Sequence, residues 1–269
     1  LKGVDEVVSL GDLDVLQRIR RARDESLNRA KYLYLKLVEE EKFDSVYDLY
    51  CPPFLYESTE TGPLKFTRSQ LFAISCQVKS LDEALPEWIS HPKEQEEAEQ
   101  SLKRAGVTGD FIAVSLRGTC STRTYPPKYA EVLLERLSRK YAVVYFDSVR
   151  PYFRVPRGVV FASAPFEIFC SMVRLSRMVL TVDSCMMHVA QAVHRRSVVI
   201  FSATDSSALQ RVYQVTPVEC KLTRCGGGCN YNGEKGWKRD TCRSFGCLRM
   251  HANVPDLVEA AVDEVYSLC

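Results

Sequence analysis

From Phe111 onward, short runs of β-branched and other apolar residues alternate with stretches whose apolar residues recur every three or four positions. The runs FIAVSL (111–116), YAVVYF (141–146), GVVFAS (158–163), MVLTV (178–182) and SVVIFSA (197–203) predict buried strands. The stretches PKYAEVLLERLSRK (127–140), PFEIFCSMVRLSR (165–177) and CMMHVAQAVH (185–194) predict helices, as does VPDLVEAAVDEVYSL (254–268), with Pro255 near its first turn. Strands apolar on both faces, separated by helices of about ten to fifteen residues, predict βαβ units, a parallel sheet and right-handed crossovers. The expected fold class is α/β.

The first hundred residues are less regular. VDEVVSL (4–10) and FDSVYDLY (43–50) read as strands, and DLDVLQRIRRARDESLNRAKYLYLKLVEEEK (12–42) as one long amphipathic helix or two. LKFTRSQLFAISCQV (64–78) reads as a helix after a loop holding Pro52, Pro53 and Gly62. HPKEQEEAEQSLKRAG (91–106) is a charged helix, expected to be solvated and to act as the linker. The chain therefore divides into 1–106 and 107–269, with no internal repeat and no low-complexity tract.

Composition narrows the class. Of 269 residues, 46% are hydrophobic and 26% charged, as in a soluble globular protein, and the length allows two domains. A net charge of +2 gives no argument for nucleic acid or a membrane surface, and no apolar run is long enough to span a bilayer. LKGVDEVVSLGD carries acids and no apolar core, so it is not read as a signal peptide; the chain begins at Leu1, which leaves processing or a preceding segment open. Six of the eleven cysteines are scattered (Cys51, Cys76, Cys120, Cys170, Cys185, Cys269), whereas five crowd between Cys220 and Cys247. A disulfide scaffold would be smaller and its cysteines more evenly spread, so a reducing cytoplasm and a local metal site are expected.

Two stretches carry candidate chemistry. In TVDSCMMHVAQAVHRRSVVIFSATD (181–205) a strand stops at Asp183-Ser184, a helix starts at once, and His188 lies one turn in. In open parallel sheets ligands bind beyond the carboxyl ends of the strands, and a helix start offers N–H groups and partial positive charge to a phosphate. Local chemistry equally allows Asp183 or Ser184 to be a plain helix cap, and His188 a packed or surface histidine. The second stretch is CGGGCNYNGEKGWKRDTCRSFGC, within a finger at 220–247. Cys225 and Cys229 flank three glycines, four residues lie between Cys242 and Cys247, and twelve residues separate the pairs. Two close pairs joined by a polar loop are the ligand layout of a tetrahedral structural site, with Cys220 as a substitute for Cys225. Zinc is the expected ion and iron its rival; free thiols or a disulfide are the alternative. Lys235, Lys238, Arg239 and Arg243 would offset the thiolate charge.

VDSCMMHVAQAVHRRSVVIFSATD resembles the signature of the ADP-heptose:lipopolysaccharide heptosyltransferases, glycosyltransferase family nine. Asp183, Ser184, Met187, His188, Ala190, Ala192, Thr204 and Asp205 fall in register. PFEIFCSMVRLSRMVLTV, FIAVSLRGTCSTRTYPPKYAEVLLERL, FDSVYDLY and VDEVV are similar to further family segments in the same order. The resemblance implies two Rossmann-like domains of the B-type glycosyltransferase architecture. The amino-terminal one (1–106) would hold the acceptor and the carboxyl-terminal one (107–269) a nucleotide-diphosphate sugar. It further implies that Arg123 stands where the family has a phosphate-contacting lysine, with Arg117 as a second cation. Thr119, Asp183, Ser184, Met187, His188 and Asp205 complete the donor site. Positive charge and N–H donors at the departing diphosphate would then serve without a divalent metal. The family also carries cysteines where the finger lies, and some members bind iron there. Two departures are visible: Cys185 replaces the family's glycine after Asp-Ser, and the catalytic aspartate of a Gly-Asp turn has only Gly11-Asp12 as its match. Asp12 lies about thirty residues before FDSVYDLY, half the family spacing, so it reads first as a helix cap and the amino-terminal domain as shortened, with Asp12 kept as the candidate base.

The function expected is an inverting glycosyltransferase moving a heptose or hexose to a glycan, lipid-linked or protein acceptor. The alternative is a catalytically weakened binding or assembly protein that works through its metal finger, through which self-association is also conceivable. A nicotinamide enzyme ranks last, since no G-x-G-x-x-G follows a predicted strand.

Overall fold

A computed structural model describes residues 86–118, 123–202, 206–210, 213–219 and 254–269, all within one compact unit. The elements are α1 (Pro92–Arg104), β1 (Phe111–Ser115), α2 (Pro127–Ser138), β2 (Ala142–Phe146), β3 (Val159–Ala162), α3 (Phe166–Leu175), β4 (Met178–Val182), α4 (Cys185–Ala192), β5 (Ser197–Phe201), α5 (Ser207–Gln210), β6 (Val215–Glu219) and α6 (Val254–Ser267). The strands form one sheet in the order β3-β2-β1-β4-β5-β6, every pair parallel. The α/β class and all five predicted strands of this half are present.

Alternation along each strand builds two cores. Ile112 and Val114 of β1 join Leu133 and Leu137 of α2 and Val258 and Val262 of α6. Phe111 and Ala113 point to the other face, into a core with Ala98 and Leu102 of α1, Met172 and Val173 of α3, and Met186 and Val189 of α4. Central strands covered on both faces must be apolar throughout, and β4 and β5 are buried at every position.

Two elements depart from the sequence pattern. The helix expected as a solvated linker, α1, buries Ala98 completely and packs on α3. Its charged residues face outward, while its two apolar positions, four apart, make a narrow stripe that docks. The sixth strand, β6, is not among the predicted elements because Pro217 interrupts its run. It lies at the sheet edge, where a missing backbone N–H is tolerated, and Pro217 stands opposite Val199.

Helix α6 is held against α2 by apolar burial and a row of charges. Arg136 pairs with Asp256 and Glu259, while Lys140 lies 2.7 Å from both Glu259 and Asp263. The Tyr141 hydroxyl donates to Asp263 at 2.7 Å. Burial raises Asp263, but these hydrogen bonds outweigh it and hold the carboxyl below its ordinary value.

Candidate functional site

The strand order places a topological switch point between β1 and β4: from β1 the chain runs outward through β2 and β3, then returns to β4 on the other side. The segments leaving the carboxyl ends of these two neighbours meet there. Past β1 come Leu116, Arg117 and Gly118, and the segment returns at Arg123; past β4 come Asp183 and Ser184, and then α4. Arg123 Nη1 lies 3.3 Å from Asp183 Oδ2, so these two predicted site residues join across the switch point. The pair is largely withdrawn from water, with side-chain exposures of 15% for Arg123 and 7% for Asp183.

Hydrogen bonds join the residues just past β1 to those that precede α2. Gly118 N–H donates to Thr124 Oγ1 at 3.2 Å, and Tyr125 N–H donates to the Leu116 carbonyl at 2.9 Å. A Cβ on Gly118 would stand 2.7 Å from Arg123 Cβ and 2.9 Å from its carbonyl oxygen. Glycine is thus required for Arg123 to approach where it does.

At the second edge, Ser184 is the N-cap residue of α4 with extended backbone, φ −149° and ψ 179°. Its side chain makes no capping hydrogen bond; Oγ lies 3.1 Å from Thr181 Oγ1 instead. Cys185 opens the helix and is exposed. Desolvation raises its thiol, against the lowering effect of the backbone N–H groups of Met186 and Cys185 itself.

Arg117, the other predicted cation, belongs to a different group. Its Nε donates to Asp147 Oδ2 at 2.7 Å and its Nη2 to the Arg150 carbonyl at 3.0 Å, and its guanidinium stacks 4.7 Å over the Tyr152 ring. Asp147 is buried and also accepts from the Tyr145 hydroxyl at 3.2 Å and from Val149 N–H at 3.3 Å. Burial pushes both Tyr145 and Tyr152 well up. Asp147 follows β2 as Asp183 follows β4, and an acid directly after a strand was the signal that would have singled it out.

Further along α4 the predicted residues separate. Met187, expected to touch the donor, is fully buried against Val199 and Phe201 of β5. It lies on the sheet-facing side of the helix. His188 is exposed, and its Nδ1 lies 3.0 Å from the Tyr213 hydroxyl. Among the described residues no group of three or more His, Cys, Asp or Glu is arranged to hold a metal, and no helix is long and apolar enough to cross a membrane. Asp12, Thr119, Asp205, Cys220, Cys225, Cys229, Cys242 and Cys247 lie outside the described residues.

Residues 162–233 match the family model of glycosyltransferase family 9 (heptosyltransferase). That segment contains β4, α4 and the Asp183-Ser184 corner. Two solved structures resemble the chain in fold. ADP-heptose LPS heptosyltransferase II of E. coli is 12% identical with a TM-score of 0.54, over 76% of this chain and 62% of that one. A glycosyltransferase family 9 protein of Veillonella parvula is 11% identical with a TM-score of 0.55, over 78% of this chain and 63% of that one. The chain thus spans less than two thirds of either relative. No curated protein matches it by sequence.

Proposed function

We propose that the chain acts as a glycosyltransferase, moving a heptose or hexose from a nucleotide-diphosphate donor to an acceptor hydroxyl with inversion at the anomeric carbon. The observation that carries this reading is the Arg123–Asp183 pair across the β1/β4 switch point, with Asp183 just before α4 and within residues 162–233, which match the family 9 model. A guanidinium has enough N–H donors to serve a carboxylate and a phosphate together, so Asp183 aims Arg123 at the diphosphate. The first amides of α4 add partial positive charge where the leaving group gathers negative charge. Asp183 faces the sugar or diphosphate, and His188 borders the same pocket. In the B-type arrangement residues 1–106 supply the acceptor side, with Asp12 as the base that deprotonates the hydroxyl. The acceptor is a glycan, a lipid-linked sugar or a protein, and the compartment is the cytoplasm.

Cys225, Cys229, Cys242 and Cys247, with Cys220 in reserve, would hold a structural zinc or iron beside the donor domain. Four thiolates in two close pairs suit a closed tetrahedral site. The ion would brace the finger, through which copies of the chain could also associate.

Titration with ADP-heptose and with UDP- and GDP-hexoses, followed by calorimetry and by release of nucleoside diphosphate, tests the reading. Saturable binding with donor turnover is expected. Binding without transfer or donor hydrolysis would favour a weakened, glycosyltransferase-like binding protein. The observation on that side is Cys185, whose side chain occupies the start of α4 where the family has glycine.

A further inference from the structure

The side of α4 next to Met187 is stitched to the segment entering β6. Gln191, buried one turn beyond Met187, accepts Gln214 N–H on Oε1 at 2.8 Å, and its Nε2 lies 3.4 Å from the Gln214 carbonyl. The adjacent residue, Tyr213, is thereby set beside the helix, with its ring in the small core formed by Met187, Val199 and Phe201. Its hydroxyl reaches His188 Nδ1 at 3.0 Å, and the two rings meet edge to face, with centroids 5.6 Å apart at 81°. Three side chains on one surface of α4, at 187, 188 and 191, thus converge on the same two residues.

We propose that Tyr213 is a positioning residue that sets the ring orientation and tautomer of His188 at the donor site. The proposal rests on the donor-site reading of the α4 corner. A tyrosine held by a backbone clamp and a packed ring is a stiff support, whereas a histidine on an exposed helix face otherwise samples several rotamers. The hydroxyl donates to Nδ1 and leaves the ring proton of neutral His188 on Nε2. Burial raises Tyr213, so it remains a phenol, able to donate, at neutral pH.

Tyr213→Phe removes the hydroxyl and keeps the packed ring. Long-range nitrogen–proton correlation spectra of the full chain, with His188 assigned among the four histidines by His188→Gln, should show one dominant Nε2–H tautomer in the parent and a mixture in Tyr213→Phe. Affinity for ADP, the probe ligand, should fall about two- to tenfold in Tyr213→Phe. His188→Ala should show a larger loss, and the double variant should be no weaker than His188→Ala alone. An unchanged tautomer in Tyr213→Phe, or additive losses in the double variant, overturns the positioning role. A shifted tautomer with ADP affinity unchanged even in His188→Ala overturns instead the donor-site reading on which the role depends.

Discussion

Two arginine–aspartate pairs stand at neighbouring strand ends, and they are built differently. Arg117 and Asp147 join β1 to β2 at 2.7 Å, and Asp147 receives two further hydrogen bonds while Arg117 stacks on Tyr152. Arg123 and Asp183 join β1 to β4 at 3.3 Å, at the long end for a charged pair, and at the switch point where α/β sheets open to ligands. Identical residue types therefore serve two ends. The first pair braces the loop after β2; the second presents a cation and an acid toward the α4 start. Position relative to the sheet's switch point separates them, not residue type.

The strongest way to test the contrast is Asp183→Ala. It should abolish sugar transfer while cooperative unfolding persists, and Asp183→Asn, which keeps shape without charge, should also be severely impaired. Near-normal transfer would reduce the pair to a structural tie between β1 and β4. Arg123→Ala should weaken donor binding by about 1.5–3 kcal/mol, read by calorimetry; unchanged affinity would return the diphosphate role to Arg117. Asp147→Ala should behave in the opposite way. It leaves the Arg117 and Tyr145 donors without their acceptor and should cost about 2 kcal/mol of stability by denaturant unfolding, with donor affinity changed little.

The smallest effect concerns the charges between α2 and α6. Asp263 is held below its ordinary value of 3.8, so its contribution is present above that pH and is lost as pH falls below it, through the folded-state value. The midpoint of thermal unfolding should drop by about 1–2 °C more in the parent than in Asp263→Asn over that acid range, since exposed pairs contribute little. Equal slopes would remove Asp263 from the account.

Five of the six described strands and most helices of the 111–269 half were legible because their signals are local. Continuous β-branched runs mark strands buried on both faces, and the Asp183-Ser184 corner is visible where such a run ends. Three features were not legible. Strand β6 is hidden by Pro217, which only an edge position tolerates. The docking of α1 depends on two apolar residues in a charged helix finding α3. Met187 shares the register of a donor motif but points into the core between α4 and β5.

The sequence by itself determined that this half is a parallel α/β unit and that an acid, a hydroxyl and a helix start share one corner. Which arginine serves which aspartate was decided by the tertiary structure alone. Asp147 lies 30 residues from Arg117, and Asp183 lies 60 from Arg123. Both are brought to β1 because β2 and β4 flank it in the sheet. Strand order depends on how both faces are covered by helices at once, a sum of contacts from across the chain that no local stretch encodes. The same order sets Tyr213 against His188, since β6 pairs with β5 beneath α4.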